Sequence, residues 1–312
     1  VVAAHYADMM DALRNVEPML EQGPSAIELL DHLCTWEKAQ PLFARVQNEF
    51  DALRRKSYLT EFEREKIQKL SEAIEIIPSL CDQIDSAKVS LRCQEFYDLD
   101  RYMESLKIID VWLDNILAAY FPSQLTVIGS QLRWSPYATQ EILESFEHPE
   151  ENFFYDMYKE HYLDEIVSQD IELLGISITS VEQVLPGLSL AHLVKKARPD
   201  VHITVGGSIF TKLVDVLEKG SPLFDFVDSF VVHEGETPLL KLVQALRSDK
   251  DLSKVPNLVY KEDKMVKVNR PFHKEELNAL PTPDFDGMPF DLYLTPERVL
   301  PAMGSRGCYW ER

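Results

Sequence analysis

Cysteine is scarce in this chain of 312 residues. The four cysteines, Cys34, Cys81, Cys93 and Cys308, are scattered, and no two of them form a Cys-x-x-Cys pair. Secreted disulfide scaffolds are much denser in cysteine, so this pattern excludes that class and favours a cytoplasmic location. Long apolar runs are also missing: none approaches the roughly 20 residues that span a bilayer, and no basic-then-apolar start resembles a signal peptide. We therefore expect no membrane partner.

Basic residues are outnumbered by acidic ones. Lysine and arginine together number 32 and aspartate and glutamate 52, which gives a formal net charge of −20. A surface with this charge repels phosphate backbones and anionic lipid, which excludes nucleic acid and membrane surfaces as partners. The chain also lacks a P-loop, and no Gly-x-Gly-x-x-Gly follows its first clear strand pattern. The common phosphate-binding loops are therefore absent.

The first 120 residues are predicted to form a helical domain, and the total length is that of about two domains. Thr60 and Glu63 are spaced as a capping box, in which each side chain bonds the other's free backbone N–H. Apolar residues then recur at helical spacing over residues 67–77, and again over 102–120. Such stripes are typical of helix cores, and no residue in this region points to chemistry. We interpret residues 1–120 as a scaffold or docking domain.

Residues 121–250 are predicted to form an α/β domain, in which strand and helix patterns alternate from residue 171 onward. Residues 171–178 form a nearly continuous apolar run, as expected of a strand that is covered on both faces. Strand–helix–strand units with short links predict a parallel sheet of the doubly wound α/β class. The other predicted strands are 201–205 and 226–232, and the predicted helices are 188–197, 209–219 and 237–246.

The last region, 251–312, is predicted to hold a hairpin, a proline-rich linker and the truncated start of a further domain. Residues 257–260 and 265–268 are short apolar-rich segments on either side of a Lys-Glu-Asp-Lys turn. The sequence Leu-Pro-Thr-Pro-Asp at 280–284 cannot form a regular helix and predicts an extended linker. The linker leads to Cys308, a lone cysteine after Ser-Arg-Gly.

Chemistry in an open parallel sheet is expected at the carboxyl ends of its strands, where backbone N–H groups at helix starts point outward. Small or polar residues follow all three predicted strands there. Hydroxyl groups can bind a ligand without crowding it, and glycines allow a close approach of the backbone. The candidate cofactor-binding residues are Ser177, Thr179 and Ser180 after the first strand, Gly206, Gly207 and Ser208 after the second, and His233, Glu234, Gly235, Glu236 and Thr237 after the third.

Five short motifs stand in order from residue 175 onward. They are Gly-Ile-Ser at 175–177, Gly-Gly at 206–207, His-Glu-Gly-Glu at 233–236, Leu-Pro-Thr-Pro-Asp at 280–284 and Ser-Arg-Gly-Cys at 305–308. This series resembles the cobalamin-binding domain and the following cysteine motif of cobalamin-dependent radical S-adenosylmethionine (radical SAM) enzymes. The resemblance covers about residues 170–312 and leaves the helical front unexplained.

The resemblance implies a Rossmann-like domain of the cobalamin-binding type, preceded here by an all-α domain. It implies that the candidate residues at the strand ends bind cobalamin. It also implies that Cys308 is the first of three cysteines that hold a [4Fe–4S] cluster, to which S-adenosylmethionine binds. The cluster and S-adenosylmethionine would belong to a longer parent enzyme, for which we expect radical C-methylation of a peptide or natural-product scaffold. The chain itself is expected to bind cobalamin and not to be catalytic.

Some positions depart from the family pattern. His233 stands where the family's Gly-Glu-Gly-Glu turn begins with glycine, and it is interpreted either as a contact to the corrin or as a locally bonded surface residue. The usual spacing, Cys-x-x-x-Cys-x-x-Cys, would place a second cysteine at Arg312, so either the spacing is longer and the chain was cut before it, or the motif is degenerate. His202 and His192 are interpreted as a strand residue and a helix-face residue. We therefore expect no histidine ligand to cobalt from this domain.

Two other classes of function stay open. In the first, the helical domain is a non-enzymatic interaction module that docks a partner, and the α/β domain has lost its ligand. In the second, the chain is a nucleotide-dependent or flavodoxin-like α/β protein, although Glu234 and Glu236 would repel phosphate at the third turn. Fold alone does not separate these classes. The linker and the Ser-Arg-Gly-Cys motif favour the cobalamin interpretation.

Overall fold

The structure of the chain is a computed structural model. It describes residues 26–248, 250–282, 285, 288–300 and 306. These residues fall into two compact units. The helical unit takes the described residues within 24–133, 150–153 and 284–312, and the α/β unit takes those within 134–149 and 154–283.

Four α-helices and a short hairpin make up most of the helical unit. Their bounds are α1 Ala26–Leu33, α2 Trp36–Arg54, α3 Glu61–Leu91, α4 Leu99–Ile116, β1 Gln124–Thr126 and β2 Gly129–Gln131. The predicted capping box at the start of α3 is confirmed. The N–H of Glu63 donates to Oγ1 of Thr60 at 3.2 Å, and the N–H of Thr60 donates to Oε2 of Glu63 at 2.9 Å. Hydrogen bonds from Lys56 and Thr60 lower the pKa of Glu63 to about 2.

Helices α3 and α4 pack along each other in the core of the helical unit. Leu70 of α3 and Ile109 of α4 are fully buried, as the predicted helical spacing requires. Trp112 is buried as well, and its indole N–H donates to the carbonyl oxygen of Leu33 at 2.7 Å, because a buried N–H needs a partner. The predicted helical stripes are therefore confirmed within the described residues.

The segment 288–300 also belongs to the helical unit. The guanidinium of Arg92 donates to the carbonyl oxygens of Leu292 at 2.7 Å and Tyr293 at 3.1 Å. The segment that follows the predicted linker is thus fastened to α3 at that helix's carboxyl end. Cys34 lies buried nearby, and burial raises the pKa of its thiol to about 12.

The α/β unit contains a five-stranded sheet whose strands lie in chain order. Its strands are β3 Leu173–Ser177, β4 His202–Gly206, β5 Ser229–Val231, β6 Leu258–Glu262 and β7 Met265–Val268. Its helices are α5 Thr139–Glu147, α6 Phe153–His161 (whose first residue is counted with the helical unit), α7 Leu163–Ser168, α8 Val184–Ala197, α9 Ser208–Lys212, α10 Val214–Leu217 and α11 Glu236–Arg247.

The first three strands of this sheet are parallel to one another. Strand β6 is antiparallel to β5, and β7 is antiparallel to β6. In the register, Ser177 of β3 pairs with Gly206 of β4, and Val231 of β5 pairs with Leu258 of β6. Strands β6 and β7 form the predicted hairpin. Two turn residues, Asp263 and Lys264, have φ of 47° and 69°, the positive values that a two-residue type I′ turn needs.

Helices cover both faces of the sheet. On one face, Leu242 of α11 lies in a buried cluster with Leu173, Val231 and Leu258 of the strands. On the other face, Phe230 of β5 packs against Phe210 of α9, with ring centroids 4.9 Å apart. Burying side chains of this size stabilises the fold by about 1.5–3 kcal/mol each.

The predicted fold class, an α/β domain preceded by a helical domain, is confirmed. The predicted strands at 171–178, 201–205 and 226–232 all exist, and so does the hairpin. The third strand is shorter than predicted, because Pro222–Asp225 forms a 3₁₀ turn and pairing begins only at Ser229. None of the helices in the described part of the chain has the length and apolar character to cross a membrane.

Candidate functional site

The three turns that follow β3, β4 and β5 meet at one edge of the sheet, which we call the carboxyl edge. The hydroxyl of Ser208 donates to the carbonyl oxygen of Thr179 at 2.9 Å, which joins the first turn to the second. The N–H of His233 donates to Oγ1 of Thr211 at 2.7 Å, which joins the third turn to α9. The structure thus brings together all the predicted residues of the α/β domain: Ser177, Thr179, Ser180, Gly206, Gly207, Ser208, His233, Glu234, Gly235, Glu236 and Thr237.

The hydrogen-bond donors of the first turn are bonded within the turn itself, to the side chain of Gln183. Oε1 of Gln183 accepts hydrogen bonds from the N–H of Thr179 at 2.8 Å, from the hydroxyl of Thr179 at 3.0 Å and from the N–H of Ser180 at 3.2 Å. Sequence reasoning missed Gln183. The spacing Ser-x-x-Gln from Ser180 to Gln183 is that of a capping box and could have revealed it.

The second turn depends on Gly207. Its φ of 105° lies in a region that side chains rarely adopt, and a Cβ built on it would lie 2.1 Å from the carbonyl oxygen of Ile178. A Cβ on Gly206 would come no closer than 3.5 Å to Val231. Gly207 is therefore required by the backbone, whereas Gly206 leaves accessible surface that a ligand can use.

The third turn is fastened by residues that the sequence analysis did not single out. The carboxylate of Glu275 accepts from the N–H of Thr237 at 2.7 Å and from its hydroxyl at 3.0 Å. The N–H of Glu275 in turn donates to the carboxylate of Glu234. Buried Asn257 donates from Nδ2 to the carbonyl oxygens of Glu234 and His273, each at 3.0 Å. Glu234 and Thr237 are therefore occupied within the protein.

Two predicted side chains remain available at the carboxyl edge. The hydroxyl of Ser177 and the imidazole nitrogens of His233 have no hydrogen-bond partner in the part of the chain that the structure describes, and both residues are exposed. Beside Ser177 lies Gly175, where a Cβ would come no closer than 3.9 Å to its nearest neighbour, Cγ2 of Thr204. Gly175, Ser177 and Gly206 form a surface of small residues, which we call the open face.

His202 and His192 lie outside the three turns. His202 is the first residue of β4, as predicted, and its Nε2 lies 2.9 Å from the hydroxyl of Ser229. His192 lies on α8, stacked on Phe146 at 4.6 Å and hydrogen-bonded to the hydroxyl of Tyr155 at 3.1 Å. Burial lowers the pKa of both histidines. That no histidine ligates cobalt stays a prediction.

The predicted iron–sulfur position cannot be placed in the fold. Cys308 lies outside the described residues, as do Pro283 and Asp284 of the linker and the Ser-Gly-Cys positions around Arg306. Among the residues that are described, no group of three or more His, Cys, Asp or Glu side chains is arranged to hold a metal ion. The cluster therefore stays a prediction.

Comparison with known proteins finds a distant similarity to a methyltransferase. The chain is 28% identical over 143 residues to an uncharacterized methyltransferase of Pyrococcus horikoshii. The matched stretch is 45% of this chain and 30% of that protein, so the chain spans only about a third of the length of this relative. No protein-family model and no solved structure matches the chain. The fold is Rossmann-like, and the similarity is to a methyltransferase and extends to no finer class.

Proposed function

We propose that the α/β unit binds cobalamin at its carboxyl edge and belongs to a radical SAM methyltransferase. The observation that carries the proposal is the meeting of three turns, joined by the Ser208–Thr179 and His233–Thr211 hydrogen bonds, beside the open face. The order of the five motifs supports cobalamin as the ligand. The distant similarity to a methyltransferase supports the class of reaction.

The open face suits a large, flat ligand rich in amide groups. Gly175 and Gly206 present backbone without side chains, so a ring system can approach the sheet closely. The hydroxyl of Ser177 can donate to an amide oxygen or accept from an amide N–H. Cobalamin, when bound, supplies methyl-transfer chemistry, and the residues of this chain hold and orient it.

The first and third turns of the carboxyl edge are poorly suited to phosphate, which argues against the nucleotide-dependent alternative. Phosphate sites at strand ends use free backbone N–H groups at helix starts. Here Gln183 already accepts from the N–H groups of Thr179 and Ser180, and Glu275 accepts from that of Thr237. A carboxylate at the start of α11 also repels an anion. A neutral ligand that brings its own donors is the better match.

The rest of the proposed enzyme depends on residues beyond the described part of the chain. We propose that Cys308 contributes to a [4Fe–4S] cluster that binds S-adenosylmethionine in a longer parent protein. We propose a peptide or natural-product scaffold as the substrate of that parent. Cysteine thiolates are the usual ligands of such clusters, which supports the role of Cys308.

The proposal is tested by incubating the full chain with hydroxocobalamin, desalting it and recording its visible spectrum. We expect corrin absorption to elute with the protein. Gly175→Leu places a bulky side chain on the open face and should weaken binding at least about tenfold. A tenfold loss corresponds to about 1.4 kcal/mol of binding free energy. A wild-type protein that elutes without corrin would contradict the proposal.

The matched control is Glu262→Leu. Glu262 is an exposed residue of the same sheet, and it lies at the opposite edge because β6 is antiparallel to β5. It receives the same side chain and should keep full affinity. Equal losses in Gly175→Leu and Glu262→Leu would mean that the open face is not the binding surface.

A further inference from the structure

His233 is held in a backbone conformation with positive φ, which residues other than glycine adopt infrequently. Its φ is 62°, in the left-handed region where glycine fits at lower cost and asparagine is also common. Two hydrogen bonds fix this conformation. The N–H of His233 donates to Thr211 at 2.7 Å, and the carbonyl oxygen of the next residue, Glu234, accepts from Asn257 at 3.0 Å. The conformation is therefore determined by contacts from two other elements of the unit.

The imidazole is oriented by an aromatic contact that leaves its nitrogens available. Its ring centroid lies 4.3 Å from that of Phe272, with the planes inclined by 45°. Phe272 is itself approached by the guanidinium of Arg270, at 5.4 Å from the ring centroid, and Arg270 is held by two hydrogen bonds to Glu218 at 2.9 and 3.1 Å. Within the described chain, neither ring nitrogen of His233 is hydrogen-bonded.

A single hydroxyl connects His233 to the glycine turn of the carboxyl edge. Oγ1 of Thr211 accepts from His233 and also lies 3.4 Å from the carbonyl oxygen of Gly207. The imidazole is thus carried by the same assembly of turns that borders the open face. A strained residue with an oriented, unoccupied polar group at such an edge is better explained by a contact to a ligand than by a role in folding.

We infer that His233 is a specificity-determining residue that contacts the bound ligand through a ring nitrogen. The inference rests on the proposed function for the identity of that ligand, cobalamin. An imidazole nitrogen can donate to or accept from an amide side chain, and it can also bind a metal ion. Both contacts use the same chemistry, a ring nitrogen directed at the ligand.

The inference predicts that stability and affinity change in different directions when His233 is replaced. His233→Gly and His233→Asn remove the imidazole but fit a positive φ, so their melting temperatures should equal or exceed that of the wild type. Their affinity for hydroxocobalamin should fall at least about tenfold. If the imidazole only stabilised the turn through Phe272, both variants would melt at a lower temperature and would bind with unchanged affinity once folded.

Lys264→Gly provides the matched control. Lys264 has a similar φ of 69°, but it lies in the β6–β7 turn beyond Glu262, at the opposite edge of the sheet. This variant should also keep or raise the melting temperature, and its affinity for hydroxocobalamin should stay that of the wild type. A tenfold loss of affinity in Lys264→Gly as well would show that the effect of the His233 variants is not specific to His233.

Electron paramagnetic resonance of the bound cobalt(II) form separates the two kinds of contact. A nitrogen coupling that changes on ¹⁵N-histidine labelling and disappears in His233→Asn shows a ring nitrogen on cobalt. No such coupling, together with the tenfold loss, shows a hydrogen bond to the periphery of the ligand. Unchanged affinity in both His233 variants overturns this inference alone, whereas a wild-type chain that binds no hydroxocobalamin overturns it together with the proposed function.

Discussion

The two edges of the parallel part of the sheet differ in how their polar groups are used. At the amino edge, Nζ of Lys195 donates to Asp228 at 2.8 Å and to the carbonyl oxygens of Pro199 at 3.1 Å and Val201 at 2.9 Å. Asp228 also accepts from the N–H of Ile203 at 2.7 Å. One lysine and one aspartate thus tie the starts of β4 and β5 together, and their charges compensate each other.

The carboxyl edge also has many hydrogen bonds, but some of its polar side chains have no partner among the described residues. Gln183 and Glu275 accept hydrogen bonds from the backbone N–H groups of the first and third turns. Ser177 and His233 are left with polar atoms that face solvent. Polar groups that are satisfied within a protein contribute to its stability, whereas groups left available contribute to recognition. Both edges hold the fold together, and the available groups are the reason why we propose the carboxyl edge as the place where a ligand binds.

Gly207→Ala is the substitution with the largest expected effect on this comparison, because Gly207 lies at the carboxyl edge and the fold requires glycine there. The positive φ and the clash with the carbonyl oxygen of Ile178 should lower the free energy of unfolding by about 4 kcal/mol. Urea unfolding followed by circular dichroism measures the change. Gly206→Ala is the control and should cost less than about 1 kcal/mol, since its Cβ would make only ordinary contacts. Equal costs at the two glycines would contradict the prediction.

Lys195→Met tests the amino edge. It leaves the half-buried carboxylate of Asp228 without its cation and removes the donor from two carbonyl oxygens, so the free energy of unfolding should fall by about 3 kcal/mol. Lys196→Met, at an exposed neighbouring position, should change it by less than about 0.5 kcal/mol. The affinity of the folded protein for hydroxocobalamin should be the same in both variants, because neither residue lies at the carboxyl edge. A loss of affinity in Lys195→Met but not in Lys196→Met would contradict the prediction that the amino edge plays no part in ligand binding.

His202 gives the amino edge a dependence on pH, which is the smallest of the three effects. Burial lowers the pKa of His202, while Asp228 raises it and Lys195 lowers it. Because the folded state then binds fewer protons than the unfolded state below about pH 6.5, stability is complete above that pH and falls as the pH decreases. Denaturant unfolding from about pH 7.5 to about pH 5.5 should show this fall, with a smaller slope in His202→Gln. Identical slopes would show that His202 does not contribute.

The strand ends could be predicted from the sequence because each lies next to its own strand. Ser177 and Gly206 follow apolar runs directly, and the carboxyl ends of parallel strands must share an edge. The residues that fasten these turns could not be found this way. Asn257 and Glu275 lie 23 and 38 residues beyond their partners Glu234 and Thr237, and the predicted hairpin that begins at Asn257 does not indicate a contact with the third turn. Local periodicity carries no information about such distant partners.

The strain at His233 was also beyond the reach of sequence patterns. The sequence shows histidine where the motif that it resembles begins with glycine, but the positive φ of His233 is seen only in the structure. The same conformation explains why glycine suits this position. Histidine adopts it at a cost that glycine would avoid.

The contacts of Asn257 and Glu275 set the minimum length of an independently useful α/β domain. A fragment that ended after the β6–β7 hairpin, at Val268, would retain every strand of the sheet but would lose the acceptor for the first-turn N–H of α11 and two hydrogen bonds between Asn257 and His273. The third turn of the carboxyl edge would then lack the contacts that hold it, so a fragment of this length would be a poor test of the proposed ligand site. Residues through Glu275 must therefore be kept when the domain boundary is chosen.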